Sequence, residues 1–228
     1  MKKNYEMDMC SGPILGKLLT FTIPLIFSGI LQLLFNAADV IVVGRFAGSQ
    51  SLAAVGSTTA LINLMINIFI GLSVGVNVIV ARYYGAKREK DVQDTIHTAM
   101  ALSIVSGLFL IVMGQLLSRP MLELMGTPDD VIDKSTIYMR IIFIGMPANM
   151  IYNFGSAILR AVGDTKRPLY FLTAAGVINV VLNLFFVIMF QMDVAGVALA
   201  TAISQAISAF LVIRCLMESE GGLKLHLK

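Results

Sequence analysis

Six stretches of this chain run without a charged residue: 18–38, 46–81, 98–118, 141–159, 169–192 and 194–213. About 20 residues of helix cross the hydrocarbon layer of a bilayer, so each stretch is long enough to span it, and the second must tilt or extend beyond it. A chain of 228 residues that is 57% hydrophobic and 14% charged, with a mean hydropathy of +0.83, is too apolar for a water-soluble fold. Barrel strands would read as short alternating segments of about 10 residues, whereas these runs are continuous and rich in Leu, Ile, Val, Ala and Met. The expected fold class is all-α, a polytopic bundle of six transmembrane helices. Its expected divisions are an N-terminal segment 1–14, a six-helix lobe 15–217 and a linker or tail 218–228.

Orientation follows from the basic residues. With the N-terminus in the cytoplasm, the inner segments hold 13 of the 17 Lys and Arg residues, among them Lys17, Arg82, Arg88, Arg160, Arg167 and Arg214. The outer segments hold Arg45, Arg119, Lys134 and Arg140, diluted by Glu123, Asp129, Asp130 and Asp133. That bias predicts both termini inside and a plasma (inner) membrane location. The net charge of +3 then reflects topology, and no nucleic-acid surface is read from it. Lys2 and Lys3 precede the first run, which is too long for the apolar core of a signal peptide and is read as a membrane helix. Cys10 and Cys215 fall near opposite ends of the chain on the predicted cytoplasmic side, where thiols stay reduced.

The connections are short. Residues 44–50 form an outer turn, residues 82–91 a mixed-charge segment expected to continue helically into span three, and residues 126–130 (GTPDD) a turn before a capped helix start. Residues 160–168 (RAVGDTKRP) close the fourth span and begin the fifth, and 218–228 (ESEGGLKLHLK) reads as a polar linker.

Asp39 closes the first stretch and is followed by the apolar residues 40–44, so it is a carboxylate expected at membrane depth. An acid at membrane depth costs a few kcal/mol even on lenient insertion scales, so it is usually there because an ion, a proton or a cationic ligand uses it. Gln32, Asn36 and Asp39 are spaced by four and three and form one stripe on the first helix; Asn179 and Asn183 form another on the fifth. Asn149, Asn153 and Ser156 line the fourth, and Thr201, Gln205 and Ser208 the sixth. Amides and hydroxyls avoid lipid, so all four stripes are expected to face the interior, around Asp39. The bland alternative for each amide or hydroxyl is interhelical glue, worth about 0.6 kcal/mol on average. On the second helix Gly71 and Gly75 read as a packing face beside Asn63, Asn67 and Asn77. Pro24 removes a backbone hydrogen bond on the cytoplasmic side of Asp39 and reads either as a gate or as a static kink, and Pro147 invites the same reading.

Catalytic signatures do not occur: there is no phosphate loop, no metal-spaced His or Cys cluster and no nucleophile beside a base, so no enzyme activity and no cofactor is expected.

Segments 43–48 (VGRFAG), 52–56 (LAAVG), 71–75 (GLSVG), 81–86 (ARYYGA), 158–168 (ILRAVGDTKRP), 179–183 (NVVLN) and 196–201 (GVALAT) follow one another in an order that resembles the multidrug and toxic compound extrusion (MATE) transporters. The resemblance implies cation-coupled antiport, with Na⁺ or H⁺ driving export of amphipathic, often cationic organic compounds or drugs. It implies twelve helices in two six-helix lobes, of which this chain matches the first. The second lobe is then expected in the same gene or as another chain. By the same resemblance the coupling carboxylate is Asp39, with Asn179, Asn183, Thr201 and Asn153 as neighbours in the cavity and as oxygen ligands for a Na⁺. Many relatives carry Asp where this chain has Asn183, which lowers the site's negative charge. Two other readings stand beside it: a non-transporting membrane module or truncated fragment, and a flippase-like exporter of a lipid-linked substrate, for which a more basic cavity is expected.

Overall fold

The computed structural model describes residues 14–219 and 221–225, and among them every regular element is helical. The seven helices are α1 (Ile14–Val42), α2 (Ser49–Gly85), α3 (Glu89–Leu124), α4 (Asp129–Ile144), α5 (Met146–Ala161), α6 (Lys166–Leu184) and α7 (Asp193–Glu218). Helices α1 and α6 each run on into a single π-helical turn, Val43–Ala47 and Phe185–Met189, and the two turns touch. Five helices are long and apolar enough to cross a membrane alone. The pair α4 and α5 passes the same test together, bent by 47°, and counted as one broken span it makes six.

The break has a local cause. Pro147 offers no N–H, and its ring crowds the carbonyl four residues earlier, so a helix cannot run through Gly145 and Met146 without yielding. The facing helix α3 makes room for the bend with glycines: a Cβ at Gly107 would collide with the Pro147 backbone, and one at Gly114 with the Phe143 ring. Pro24 fares differently, for α1 passes through it unbroken, with Ser28 Oγ donating to the Pro24 carbonyl at 2.8 Å.

The turns are built from glycine caps. Helix α3 ends with Gly126 at φ +70°, where Thr127 N–H reaches the Leu122 carbonyl at 3.1 Å and Gly126 N–H the Glu123 carbonyl at 3.0 Å. The same pair of bonds closes α5 around Gly163 at φ +84°, a left-handed backbone that glycine adopts without steric penalty. Asp164 then starts α6. Its buried Oδ1 accepts the N–H groups of Lys166 and Arg167 at 3.2 and 3.1 Å, and its other oxygen pairs with the Arg167 guanidinium.

Three expectations need correction. Residues 82–91 run helically into span three only from Glu89; before it a turn at Ala86–Arg88, with Lys87 at φ 56°, ends α2. The start of α4 carries Asp129 and Asp130 in its first turn but no side-chain cap; Pro128 precedes it and the two acids complement the helix dipole. The tail is not a free polar linker, because Leu223 and Leu225 are buried and Leu225 N–H donates to the Leu216 carbonyl at 3.1 Å. Gly222 lies so close to α3 that a Cβ there would be 2.7 Å from the Glu89 carbonyl. Cys215 is buried and unbridged, 3.1 Å from an Arg167 nitrogen, while Cys10, Lys2, Lys3 and His226 lie outside the described residues.

Helix α5 sits at the centre and packs on α2, α3 and α7, whereas α1 packs chiefly on α6. The core follows that layout. Phe143, Met146, Met150, Phe154, Ile158 and Leu159 are fully buried, while Leu18, Ile26, Phe27, Ile30, Leu33 and Leu34 of α1 are exposed.

Candidate functional site

Asp39 stands one turn before the π-helical end of α1 and is half-buried against α6 and α7. Asn183, fully buried on α6, donates its amide to the Asp39 carboxylate. One turn back on α6, Asn179 Oδ1 accepts from Asn183 at 3.2 Å, and the Asn179 amide donates to Thr201 Oγ of α7 at 3.2 Å. The Thr201 hydroxyl lies within hydrogen-bond reach of both Asp39 and the Val197 carbonyl. Asp39, Asn183, Asn179 and Thr201 thus form one polar cluster that joins three helices, all within the set that the family resemblance implied from among the polar stripes.

The cluster exists because α1 and α6 approach closely. Gly176, two turns before Asn183, has no side chain, and the Phe35 ring, one turn before Asp39, fills the space where a Cβ would stand. No local sequence signal marks that contact, since its partners are 141 positions apart in the chain.

Other candidates fall elsewhere. Gln32 and Asn36 share the Asp39 stripe but lie exposed on α1, because α6 covers only one edge of that helix. Of the expected inward stripes, this one therefore enters the lobe only at Asp39. Asn153 is half-buried on α5 and donates to both the carbonyl and the side-chain oxygen of Asn149 at 2.9 Å, a pairing within its own helix. Pro24 is buried and lies four turns from Asp39 along α1. Gly71 and Gly75 face open space and pack on nothing nearby, contrary to expectation. One neighbour was missed. Tyr138 of α4 is 8% exposed and close enough to feel the Asp39 charge, but it sits outside the uncharged runs and was passed over with the outer loop.

The donor set is one of hard oxygens. A carboxylate, amide carbonyls and a hydroxyl suit a small cation such as Na⁺, and Asn183 Oδ1 is buried beside Asp39 with no hydrogen-bond partner among the described residues. No group of three or more His, Cys, Asp or Glu side chains gathers among those residues to suit a transition metal.

A six-span helical lobe that holds a carboxylate of its first span in a polar cluster between three helices has the build of a membrane transporter, not of an enzyme. Comparison with known proteins gives the family. The MatE family model matches residues 24–185, and the chain belongs to that family of transporters. It is 36% identical over 197 residues to the probable multidrug resistance protein YoeA of Bacillus subtilis, covering 85% of this chain and 42% of that protein. It is 27% identical over 201 residues to an FAD transporter of Shewanella oneidensis, covering 86% and 44%. Among solved structures, an outward-facing multidrug resistance MATE transporter superposes with a TM-score of 0.86 at 25% identity, over 93% of this chain and 47% of that one. A MATE crystal structure in a bent conformation superposes at 0.83 with 26% identity, over 89% and 45%. The chain spans about half the length of the relatives it matches.

Proposed function

We propose that this chain is the first lobe of a cation-coupled antiporter that exports amphipathic, cationic organic compounds, with Asp39 as the coupling carboxylate. The observation that carries the reading is the bond network from Asp39 through Asn183 and Asn179 to Thr201, in a chain of the MatE family. A carboxylate ringed by amides and hydroxyls attracts either a driving cation or a cationic cargo, and the two compete for it. Loading with Na⁺ or H⁺ neutralises the site and releases cargo; losing the ion restores the anion that recruits the next one. Asn179, Asn183 and Thr201 supply the oxygens that would accompany Asp39 around Na⁺. Gln32 and Asn36, exposed on α1 next to the cluster, would line the route by which cargo arrives between this lobe and a second six-helix lobe, in the same gene or as another chain. Asn153, two turns below the break at Gly145, would line the same lobe cavity.

Pro24 would serve as the gate. Its missing N–H leaves the Thr20 carbonyl without its helical partner, so α1 can bend there at low cost. The distribution of Lys and Arg supports cytoplasmic termini in a plasma membrane.

The likeness to an FAD transporter offers an anionic dinucleotide as a second cargo. Among the described residues the groups that bond to Asp39 are the Asn183 amide and the Thr201 hydroxyl, neither of them basic, which favours a cation. The test is efflux from cells expressing the protein, using an organic-cation dye and FAD in parallel. Asp39→Asn is expected to lower cation-driven dye efflux about tenfold or more while the protein remains in the membrane. Unchanged, gradient-dependent dye efflux by Asp39→Asn would overturn the assignment, and efflux of FAD but not dye would replace the cargo.

A further inference from the structure

A second polar group ties three helices together at the end of the bundle where α1 finishes. Lys134 of α4 pairs with Asp193 of α7 at 2.6 Å, and its Nζ donates to Ser51 Oγ of α2 at 3.1 Å. Ser51, fully buried, donates in turn to Asp193. Beside this triangle, the Ser57 and Ser135 hydroxyls meet at 3.2 Å and continue the seam between α2 and α4. Asp193 has φ 53° and Gln191 φ 51°, a left-handed conformation that costs free energy in residues other than glycine and persists where contacts enforce it.

The triangle bears on the Asp39 cluster through two helices. Lys134 and Tyr138 are four apart on α4 and share a face, so the ion pair lies one turn from a buried phenol within electrostatic range of Asp39. Asp193 opens α7 two turns before Thr201, the hydroxyl that faces Asp39 from that side. Helix α4 is also bent by 47° from α5 at Gly145 and packs on α2, α3 and α7. At that far end, beside the buried Val131 and Ile132, the Lys134, Asp193 and Ser51 contact adds a polar tie from α4 to α7 and α2.

We propose that Lys134, Asp193 and Ser51 are positioning residues for the coupling site: their contact sets α4 against α7 so that Tyr138 and Thr201 face Asp39 together. The inference rests on Asp39 being the coupling carboxylate. Without the clasp, α4 can drift from α7, the oxygens around Asp39 spread, and the site binds its driving cation less tightly while the transport cycle itself persists.

The experiment uses the full protein in proteoliposomes, measuring dye efflux against the concentration of the driving cation, Na⁺ or H⁺. Lys134→Ala and Asp193→Asn are each expected to raise the half-saturating cation concentration about fivefold with the maximal rate retained. Lys134→Arg, which keeps the charge, is expected to hold the original value. A fall in maximal rate or in folded protein with the half-saturating concentration unchanged would mean a purely structural pair and would overturn the inference. So would a Lys134→Arg shift as large as that of Lys134→Ala. Asp39→Asn, run alongside, separates the two readings. If it keeps the cation dependence of the original protein, the coupling assignment falls; if it loses that dependence while Lys134→Ala shows no shift, the clasp alone falls.

Discussion

Helices α1 and α5 each carry a proline and a stripe of amides, and the lobe treats them in opposite ways. In α5 the amides Asn149 and Asn153 bond to one another and to their own backbone, and the helix is buried on most sides. In α1 the stripe is largely exposed, yet its last member crosses to α6 and joins a network over three helices. A polar side chain in a membrane helix is therefore informative less by its type than by what it reaches. Asn149 and Asn153 satisfy each other within α5, and Asn77 of α2 spends its amide on the Ala157 carbonyl, whereas Asp39 is the stripe member that brings a charged group to the contact between helices. The prolines repeat the contrast. Pro147 sits at a 47° break that facing glycines of α3 accommodate, while Pro24 lies in an unbroken helix.

Disrupting the contact that seats α1 should have the largest effect. Gly176→Val drives a branched side chain into the Phe35 ring and is expected to cost about 1 to 3 kcal/mol and to separate Asp39 from Asn183. Thermal unfolding in detergent reads the first effect and cation-dependent efflux the second; a variant with unaltered melting and transport would show that α1 is held some other way. Smaller is the effect expected of Asn153→Ala, about 0.6 kcal/mol in the same melt with cation dependence unchanged, as befits an amide paired within its own helix. If cation dependence shifts instead, α5 belongs to the ion site and the contrast between the helices fails. Smallest of all is Gly71→Ala, which meets nothing within 4 Å and should stay within about 0.5 kcal/mol. A larger loss there would reveal a partner surface against that face of α2.

Much of this was legible from charge spacing. The uncharged runs located the spans because a charge is costly in lipid whatever the fold, and periodicity drew the polar stripes that contain Asp39, Asn179, Asn183 and Thr201, while the family resemblance picked those four out of them. What escaped was contact between residues far apart in the chain. Gly71 and Gly75 have the spacing of a packing face but lie open, whereas Gly176 and Gly107 carry the close approaches without any local pattern, since a glycine's role depends on the side chain opposite. Tyr138, Lys134 and Asp193 escaped for another reason. Charges at a span's edge read as loop, and no spacing rule pairs a residue of α4 with one 59 positions later. The bend at Gly145 was foreshadowed by Pro147, but its place was decided by the space that α3 leaves.

The thin seating of α1 also bears on biosynthesis. A span whose outward surface is covered with Leu, Ile and Phe is content in lipid without neighbours, so it can leave the insertion machinery early and wait there. Helix α6, synthesised more than a hundred residues later, brings the surface on which α1 docks. The Asp39 cluster should therefore be among the last parts of the lobe to mature, and amide hydrogen exchange should find α1 among the first to open again.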